Sequence, residues 1–399
     1  MISVGIDVSK EKSTVCILKP GGEIVRKPFD VMHTQPELEK LVTIINQLDE
    51  EPRIVMEATG VYHLPILMFL RNEGFFVAIT NPLEMKRYRC QGLRNAKTDK
   101  IDSRIIANYG IDFWFHLQAF QSDENCYSEL KLLGRQYRQY MKFRVNNVLS
   151  LTHILDLTMP GIKTMLPDWN KYSGNDKLAD FAAEYWHFDN ITKKSEKQFI
   201  NSYMNWAKKK GYRQNAEKAK ELYSLAKDGI PTLPSSTPST KMLVLEAVKL
   251  VREVDNTLTQ ILTRMQELAK TLPEYSIVRA MGGVGDTLAP RLIGEIGDVR
   301  RFKNSKSLIA YAGIDAPPYQ SGRFTGSERH ISKRGSSNLR KIGFETMTCV
   351  RRLKPVNDPV YLFIEKKILE GKPSKVSKIA GFNKFLRIYY ARVMEVYQQ

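Results

Sequence analysis

No stretch of this 399-residue chain comes near the roughly eighteen consecutive apolar residues that a membrane-spanning helix needs. The N-terminus runs directly into strand-like sequence with no basic segment leading a hydrophobic one, so no signal peptide is expected. Cysteine is scarce. Cys16, Cys90, Cys126 and Cys349 are scattered without metal-ligand spacing, and free thiols in a reducing cytoplasm are the simplest account of them. Acidic residues are the other shortage: 43 Asp and Glu stand against 61 Lys and Arg, a net charge of +18. That imbalance predicts a polyanionic partner, most often nucleic acid, although ribosomal and membrane-surface proteins share it.

What is present is an ordinary globular composition, 42% hydrophobic and evenly spread, with length for two or three domains and a substantial core. The positive charge is concentrated. Between Arg300 and Lys341 there are ten Lys or Arg and two acids, in a segment rich in Gly, Ser and Tyr. Such a segment suits contact with phosphates.

The opening run, Met1 to Lys12, alternates Ile2, Val4 and Ile6 with smaller residues in the manner of a strand and ends on Asp7. A second β-type run, Ser13 to Leu18, follows a short polar turn, so the pair reads as a hairpin. An aspartate after a strand is ordinarily a turn former or a helix cap. Three further acids occupy matching settings: Glu57 ends the short strand from Arg53, and Asp99 and Asp102 lie three apart at the start of a helix. Asp99 and Asp102 alone would read as helix N-capping, favoured by the macrodipole. Taken together, the four read as one metal site. Mg²⁺ takes hard oxygen ligands, phosphodiester chemistry commonly uses a pair of such ions, and i, i+3 carboxylates share a helix face. Lys97 and Lys100 beside them are placed to meet phosphate.

Residues 1 to about 112 alternate α and β. Strands are expected at Glu23 to Phe29, Arg53 to Glu57 and Phe75 to Thr80, and helices at Gln35 to Leu48 and Tyr62 to Asn72; Asn81-Pro82 breaks the pattern. Three antiparallel strands followed by βαβ units fit an α/β domain of ribonuclease-H-like order. A boundary is expected near Gln121, giving a first domain over 1–120, a helical region over 121–270 and a C-terminal, mainly α domain over 271–399. In the helical region, Leu130, Leu133, Tyr137, Met141, Val145 and Val148 form one stripe. Leu243, Ala247, Leu250, Val254, Ile261, Met265 and Leu268 form a near-heptad one. The stripes are either core, packed on each other, or a dimerising coiled-coil arm.

Between them lies an insertion, 156–234, in which aromatics and lysines interleave. It reads as a nucleic-acid-binding element or, for any one charge run, as a solvated helical face. Gly282-Gly-Val-Gly between two short helices follows a helix–hairpin–helix pattern, in which Gly283 and Gly285 would let the backbone approach a phosphate. Tight helix packing is the other use for such glycines. Further helices are expected over Lys303–Tyr311, after Ile331-Ser-Lys-Arg-Gly, and along a basic tail broken near Gly371.

Ile6-Asp-Val-Ser-Lys, Met56-Glu-Ala-Thr-Gly, Asn95-Ala-Lys-Thr-Asp-Lys-Ile-Asp, the Gly-Val-Gly … Gly-Glu-Ile-Gly-Asp stretch, Phe302, Tyr311-Ala-Gly-Ile, Gln320-Ser-Gly and Ile331-Ser-Lys-Arg-Gly together resemble the DEDD transposases of bacterial insertion sequences, related to Piv-type DNA invertases. The resemblance covers roughly 1–155 and 240–350. It implies a RuvC-like domain whose tetrad is Asp7, Glu57, Asp99 and Asp102, with Mg²⁺ or Mn²⁺ as cofactor. It also implies a coiled-coil link and a C-terminal transposase domain with a serine nucleophile that forms a 5′-phosphoserine link to DNA. Dimers assembling into a tetramer, donor and target DNA as partners, and a bridge RNA encoded by the element follow from it too.

Ser321 occupies the Ser-Gly position of that family and is the expected nucleophile; Ser332, Ser336 and Ser337 are lesser candidates. A hydroxyl needs activation by a base or metal, and neither His63 nor His330 is placed by sequence to give it. Arg323, Lys333, Arg334 and Arg340 are expected to hold phosphates, each being otherwise a solvated charge. The expected location is the bacterial cytoplasm, at the nucleoid. Two rivals remain at this level: a RuvC-like nuclease or Holliday-junction resolvase using metal-activated water, which has no use for Ser321, and a non-catalytic nucleic-acid-binding protein.

Overall fold

The computed structural model describes residues 1–90, 98–120, 125–166, 176–317, 320–321, 324–325 and 330–398. The chain divides into two compact units, Met1–Ser122 and Asp123–Gln399.

The first unit is built on a mixed five-stranded sheet. Its strands are β1 (Ser3–Val8), β2 (Lys12–Leu18), β3 (Ile24–Met32), β4 (Arg53–Glu57) and β5 (Val77–Thr80), in spatial order β3-β2-β1-β4-β5. β1, β2 and β3 pair antiparallel; β4 joins β1 in parallel, with Ile6 opposite Met56, and β5 joins β4 in parallel. The period-2 alternation of a strand sends Val4, Ile6 and Val8 to one face. There they share a core with helices α1 (Gln35–Asn46) and α2 (Leu64–Asn72) through Leu38, Leu41, Ile45, Ile66, Leu67 and Leu70.

The small residues of β1 have a reason of their own. Ser3 and Gly5 lie under α4 (Asp99–Asp112): a Cβ on Gly5 would sit 2.2 Å from the Ala107 nitrogen and 2.3 Å from the Ser103 carbonyl. Gly110 in turn meets Ser3. Ser3 therefore faces the helix's C-terminal part and Gly5 its middle, so α4 runs antiparallel to β1 and its N-terminus lies over the strand end that carries Asp7.

Asn81-Pro82, read as a break, begins a helix instead. Asn81 accepts a hydrogen bond from the Leu83 amide and Pro82 occupies the first turn of α3 (Pro82–Arg89), where its missing N–H costs nothing. Met85 of α3 is buried with Val55 and Ile106, and Tyr88 packs edge-on against Tyr109 and Phe113.

The second unit is helical. α5 (Asn125–Thr158) and α11 (Pro238–Lys270) pair antiparallel within the one chain: Glu129 meets Arg264, Arg144 meets Asp255, and the Asn147 side chain reaches the Leu250 carbonyl. The heptad stripe splits on this pairing. Ala247 and Met265 are buried, whereas Leu243 and Leu250 stay exposed.

Between α5 and α11 the chain forms α6 (Ile162–Met165), α7 (Lys177–Tyr185), α8 (Asp189–Thr192), α9 (Glu196–Lys209) and α10 (Ala216–Asp228). Phe181, Tyr185, Phe199, Tyr203 and Trp206 are their shared core, joined by Leu151 and Leu155 of α5 and Val244 and Val248 of α11. The aromatics of the insertion are thus buried packing, while Lys208, Lys209 and Lys210 are exposed.

The other ends of α5 and α11 enter a separate core with α12 (Tyr275–Arg279), α13 (Leu288–Ile296), α14 (Ser305–Ala312), α15 (Ser337–Leu353), α16 (Pro359–Leu369) and α17 (Ser374–Val396). A two-residue strand pair, β6 (Gln320–Ser321) and β7 (Phe324–Thr325), lies between α14 and α15. Where the two cores meet, Arg144 bonds both Asp255 at 2.6 Å and Asp176 at 3.1 Å, all three largely buried. Burial raises the Asp255 carboxyl above its ordinary range against the opposing pull of Arg144. Among the described residues no helix is long and apolar enough to cross a membrane.

Candidate functional site

Asp7 continues the Ser3, Gly5 face of β1 toward α4. Glu57 continues the Val55 face of β4, which packs with Met85 and Ile106 on that same side. Each stands one residue beyond the last registered pair of the parallel ladder, Ile6 with Met56, so the two acids are neighbours on adjoining strands. α4 supplies the others from its first turn. Thr98 caps the helix by accepting from the Ile101 amide at 3.3 Å; Asp99 is exposed, and Asp102 is buried. The close approach at Gly5 holds α4 against the sheet, with this helix end over the C-terminal ends of the central strands β1 and β4.

The electrostatics of Asp7 report the gathering. Its carboxyl is pushed up to about 6 from 3.8, first by burial and then by the charges of Asp102 and Asp99, with Glu57 adding to them. The opposing influence is Arg89, at the end of α3. Its Nη2 donates to Glu57 Oε2 at 2.9 Å and its Nε lies 3.6 Å from Asp102 Oδ1. At 3.6 Å the second contact is an ion pair rather than a hydrogen bond, and Nε is buried without a hydrogen-bond partner.

One guanidinium thus contacts two of the four carboxylates, Glu57 and Asp102, and acts on a third, Asp7. The donor set is all hard oxygen and carries an excess of negative charge, which fits a divalent cation such as Mg²⁺. Among the described residues, no three such side chains converge as a finished ligand set. Asp99, exposed at the helix end, and Glu57, engaged by Arg89, would have to turn inward. Lys100 is exposed beside the cluster; Lys97 lies outside the described residues.

The remaining candidates are in the second unit. Gly283 has φ +74, and a Cβ on it would meet the Val350 nitrogen at 2.7 Å, so it serves the contact of this turn with α15; a Cβ on Gly285 would meet open space. The backbone of Ser321 lies in β6 opposite Phe324. Its side chain lies outside the described residues, as does Arg323.

The Ile331 to Gly335 segment folds back on the end of α14: the Lys333 amide bonds the Gly313 carbonyl at 3.0 Å, and the Ser336 amide bonds that of Tyr311 at 2.7 Å. Lys333, at φ 55, and Arg334 are thereby presented to solvent. Arg340 has another task, donating to the Ala312 and Gly335 carbonyls at 3.0 and 2.9 Å and tying that segment down. Ser332 bonds Asp315, and Ser336 caps α15 while donating to the buried Glu295 at 2.7 Å. Burial holds the His63 imidazole below its usual range.

Sequence reasoning missed Arg89. A basic run in α3, Lys86-Arg87-Tyr88-Arg89, was visible, but nothing in it tells which cation turns onto the acids. Only the anchoring of Met85 and Tyr88 on α4 settles that.

Comparison with known proteins adds the following. Residues 4–160 match the transposase family of DEDD, IS110 type, and residues 275–361 match the family described as Transposase IS116/IS110/IS902 family. The chain is 22% identical over 362 residues to the "Insertion element IS116 uncharacterized 44.8 kDa protein" of Streptomyces clavuligerus, covering 90% of this chain and 86% of that one. To the pilin gene-inverting proteins of Moraxella bovis and Moraxella lacunata it is 27% identical over 150 residues, 36% of this chain. It spans 46% of their length, about half. Among solved structures, T. thermophilus RuvC in complex with a Holliday junction substrate overlaps 30% of this chain and 100% of its own, at 10% identity and a TM-score of 0.24. The strand order, not that overlap, carries the description of the fold.

Proposed function

Since the chain belongs to the IS110/IS116 family of DEDD transposases, we propose that it moves its element by metal-dependent cleavage and serine-mediated exchange of DNA strands. The mixed-sheet unit acts as a RuvC-like, ribonuclease-H-like catalytic domain. Asp7, Glu57, Asp99 and Asp102 hold Mg²⁺ or Mn²⁺, which when bound supplies Lewis-acid stabilisation of a phosphodiester under attack. The observation that carries this reading is geometric: Asp7 and Glu57 end adjoining parallel strands, and the first turn of α4, which bears Asp99 and Asp102, lies over them.

In the covalent step the Ser321 oxygen forms a bond to phosphorus, the bond from phosphorus to the 3′ oxygen breaks, and the hydroxyl proton passes to the leaving 3′ oxygen. The 5′-phosphoserine so formed keeps the energy of the phosphodiester. A 3′ hydroxyl of the partner strand later attacks the same phosphorus and returns the serine, so no nucleotide triphosphate is needed. Lys97 and Lys100 beside the acids, and Arg323, Lys333 and Arg334 around the serine segment, hold backbone phosphates; Gly283 and Gly285 form a further backbone contact. Donor and target DNA are the substrates, aligned by a bridge RNA encoded by the element. The chain works as dimers paired into a tetramer, with α5 and α11 as the coiled-coil element.

The test places the gene in a bacterium with its native flanking DNA and counts excised circles by PCR. Wild type is compared with Asp102→Asn and Ser321→Ala at matched expression, and protein-linked DNA is sought on denaturing gels. Circles and adducts should vanish in both variants. Circles persisting in Ser321→Ala would remove the serine from the mechanism and favour water-driven cleavage of the resolvase kind. Circles persisting in Asp102→Asn would remove the metal site.

A further inference from the structure

Among the described residues Arg89 is the cation that contacts the carboxylates, and its contacts define what it does there. The guanidinium lies against an oxygen of Glu57 and an oxygen of Asp102, two of the four groups assigned to the metal. It is held from behind. Met85, four residues earlier, is fully buried against Val55 and Ile106, and Tyr88 is clamped by Tyr109 and Phe113 and donates to Asp112. α3 therefore fixes the root of the side chain, while the several rotatable bonds beyond it leave the guanidinium free to swing. A guanidinium stays charged at any working pH. It cannot leave the cluster by losing a proton, only by being displaced. One fitted hydrogen bond, from Nη2 to Glu57, holds it, while its Nε is buried without a hydrogen-bond partner; toward Asp102 it is held by charge alone, which another cation can replace.

We propose that Arg89 is a resident counter-cation that competes with the divalent ion for Glu57 and Asp102, and so sets the metal concentration at which the site loads. This rests on the metal reading above. Arg89 neutralises part of the acid cluster and holds its members together; an incoming ion takes the same oxygens and frees the guanidinium. The opposite role, a structural clamp that orients Glu57 and Asp102 for the ion, uses the same contacts but predicts the opposite sign. A clamp that is removed weakens metal binding, and a competitor that is removed strengthens it.

The experiment measures Mn²⁺ affinity of the full-length protein without DNA, by calorimetry and by electron paramagnetic resonance, for wild type, Arg89→Ala, Arg89→Lys and Arg87→Ala. Arg87 is exposed on the same helix, two residues earlier, so its loss removes an equal charge from the neighbourhood but no contact with the acids. Arg89→Ala should bind Mn²⁺ roughly threefold to tenfold more tightly, the range for removing one partly screened ion pair. Arg89→Lys should fall between it and wild type, and Arg87→Ala should match wild type.

In chelator, Arg89→Ala should melt below wild type, and saturating Mn²⁺ should restore it, because either cation neutralises the same carboxylates. A clamp of purely structural value would leave the variant destabilised with metal present. Unchanged or weaker affinity in Arg89→Ala, with wild type binding normally, overturns the competitor role and leaves the metal site standing. No binding by wild type, with binding by Arg89→Ala, would be its extreme confirmation. No binding by either protein overturns both this role and the metal reading.

Discussion

Asp7→Asn should stabilise the metal-free protein while abolishing its activity, and the size and pH dependence of the gain follow from the site. In the folded chain the Asp7 carboxyl is pushed up to about 6, against an ordinary 3.8. Its ionised form is disfavoured by burial and by three neighbouring acids. Because the folded value lies above the unfolded one, its contribution to stability is fully present below about pH 3.8 and is lost as pH rises through 6. The shift corresponds to about 3 kcal/mol at neutral pH. Asp7 is only partly buried, so solvent screening reduces that to roughly 1–2 kcal/mol.

Asn, uncharged and nearly the same shape, escapes the penalty. On a unit of this size the gain is worth about 4–10 °C in melting temperature. The assay is calorimetry in chelator at pH 4.5, 5.5 and 7.5, following whichever transition differs between the two proteins, since two units need not melt together. Linkage puts about a third of the full difference at pH 4.5 and about three-quarters at pH 5.5. With saturating Mg²⁺ the order should reverse, because an ion at a hundred times its Kd adds about 2.7 kcal/mol to the protein that binds it. The reasoning is refuted if Asp7→Asn is no more stable than wild type in chelator at pH 7.5, or if its advantage does not change with pH.

Other substitutions test how the site is held. Gly5→Ala forces a methyl onto the Ala107 and Ser103 backbone and should cost about 2–3 kcal/mol, together with Mn²⁺ affinity, as α4 is pushed off the sheet; retained affinity at calorimetry would disconnect packing from the site. Gly283→Ala, strained at φ +74 and against Val350, should lower the melting temperature by a comparable amount. Gly285→Ala, open to solvent, should not, and a loss of DNA binding by Gly285→Ala alone would mark that turn as a phosphate contact. Arg144→Met leaves Asp255 and Asp176 without their shared cation and should cost about 3 kcal/mol in urea unfolding; a near-neutral effect would show the pair to be solvated.

The alternation of Ile2, Val4 and Ile6 announced a strand, and the positions of Asp7 and Glu57 at strand ends and of Asp99 and Asp102 at a helix start were legible before their proximity was. What alternation does not encode is the partner of the opposite face. Ser3 and Gly5 read only as small, and their meaning, a helix resting on backbone, depends on Ser103, Ala107 and Gly110 far along the chain. Arg89 escaped for the same reason, since its direction is set by Met85 and Tyr88 finding pockets on α4.

The heptad-like stripe of α11 was compatible with two partners because apolar spacing states that a face is buried, not against what. The pairing with α5 is decided by matches such as Arg144 with Asp255. In the insertion, Phe199, Tyr203 and Trp206 at helical spacing, with Phe181 and Tyr185, carried the core signal, and the intervening lysines obscured it. α11 begins at Pro238, inside a Pro/Ser-rich stretch of linker-like composition, because proline suits a helix's first turn.

The antiparallel pair of α5 and α11, each about 50 Å long, carries one hydrophobic core at each end, with the Arg144 knot between them. The small helices α6 to α10 close their own core on the last two turns of α5 and the opening turns of α11. This makes the far end a detachable head on a stem. Adding or removing whole helical turns of the stem in step lengthens or shortens the reach to the head and leaves the near-end core undisturbed. For protein engineering the same property marks where to graft: a tight turn joining α5 to α11 just beyond Arg144, with its two aspartate partners replaced along with it, would yield a shorter chain whose near-end core is intact.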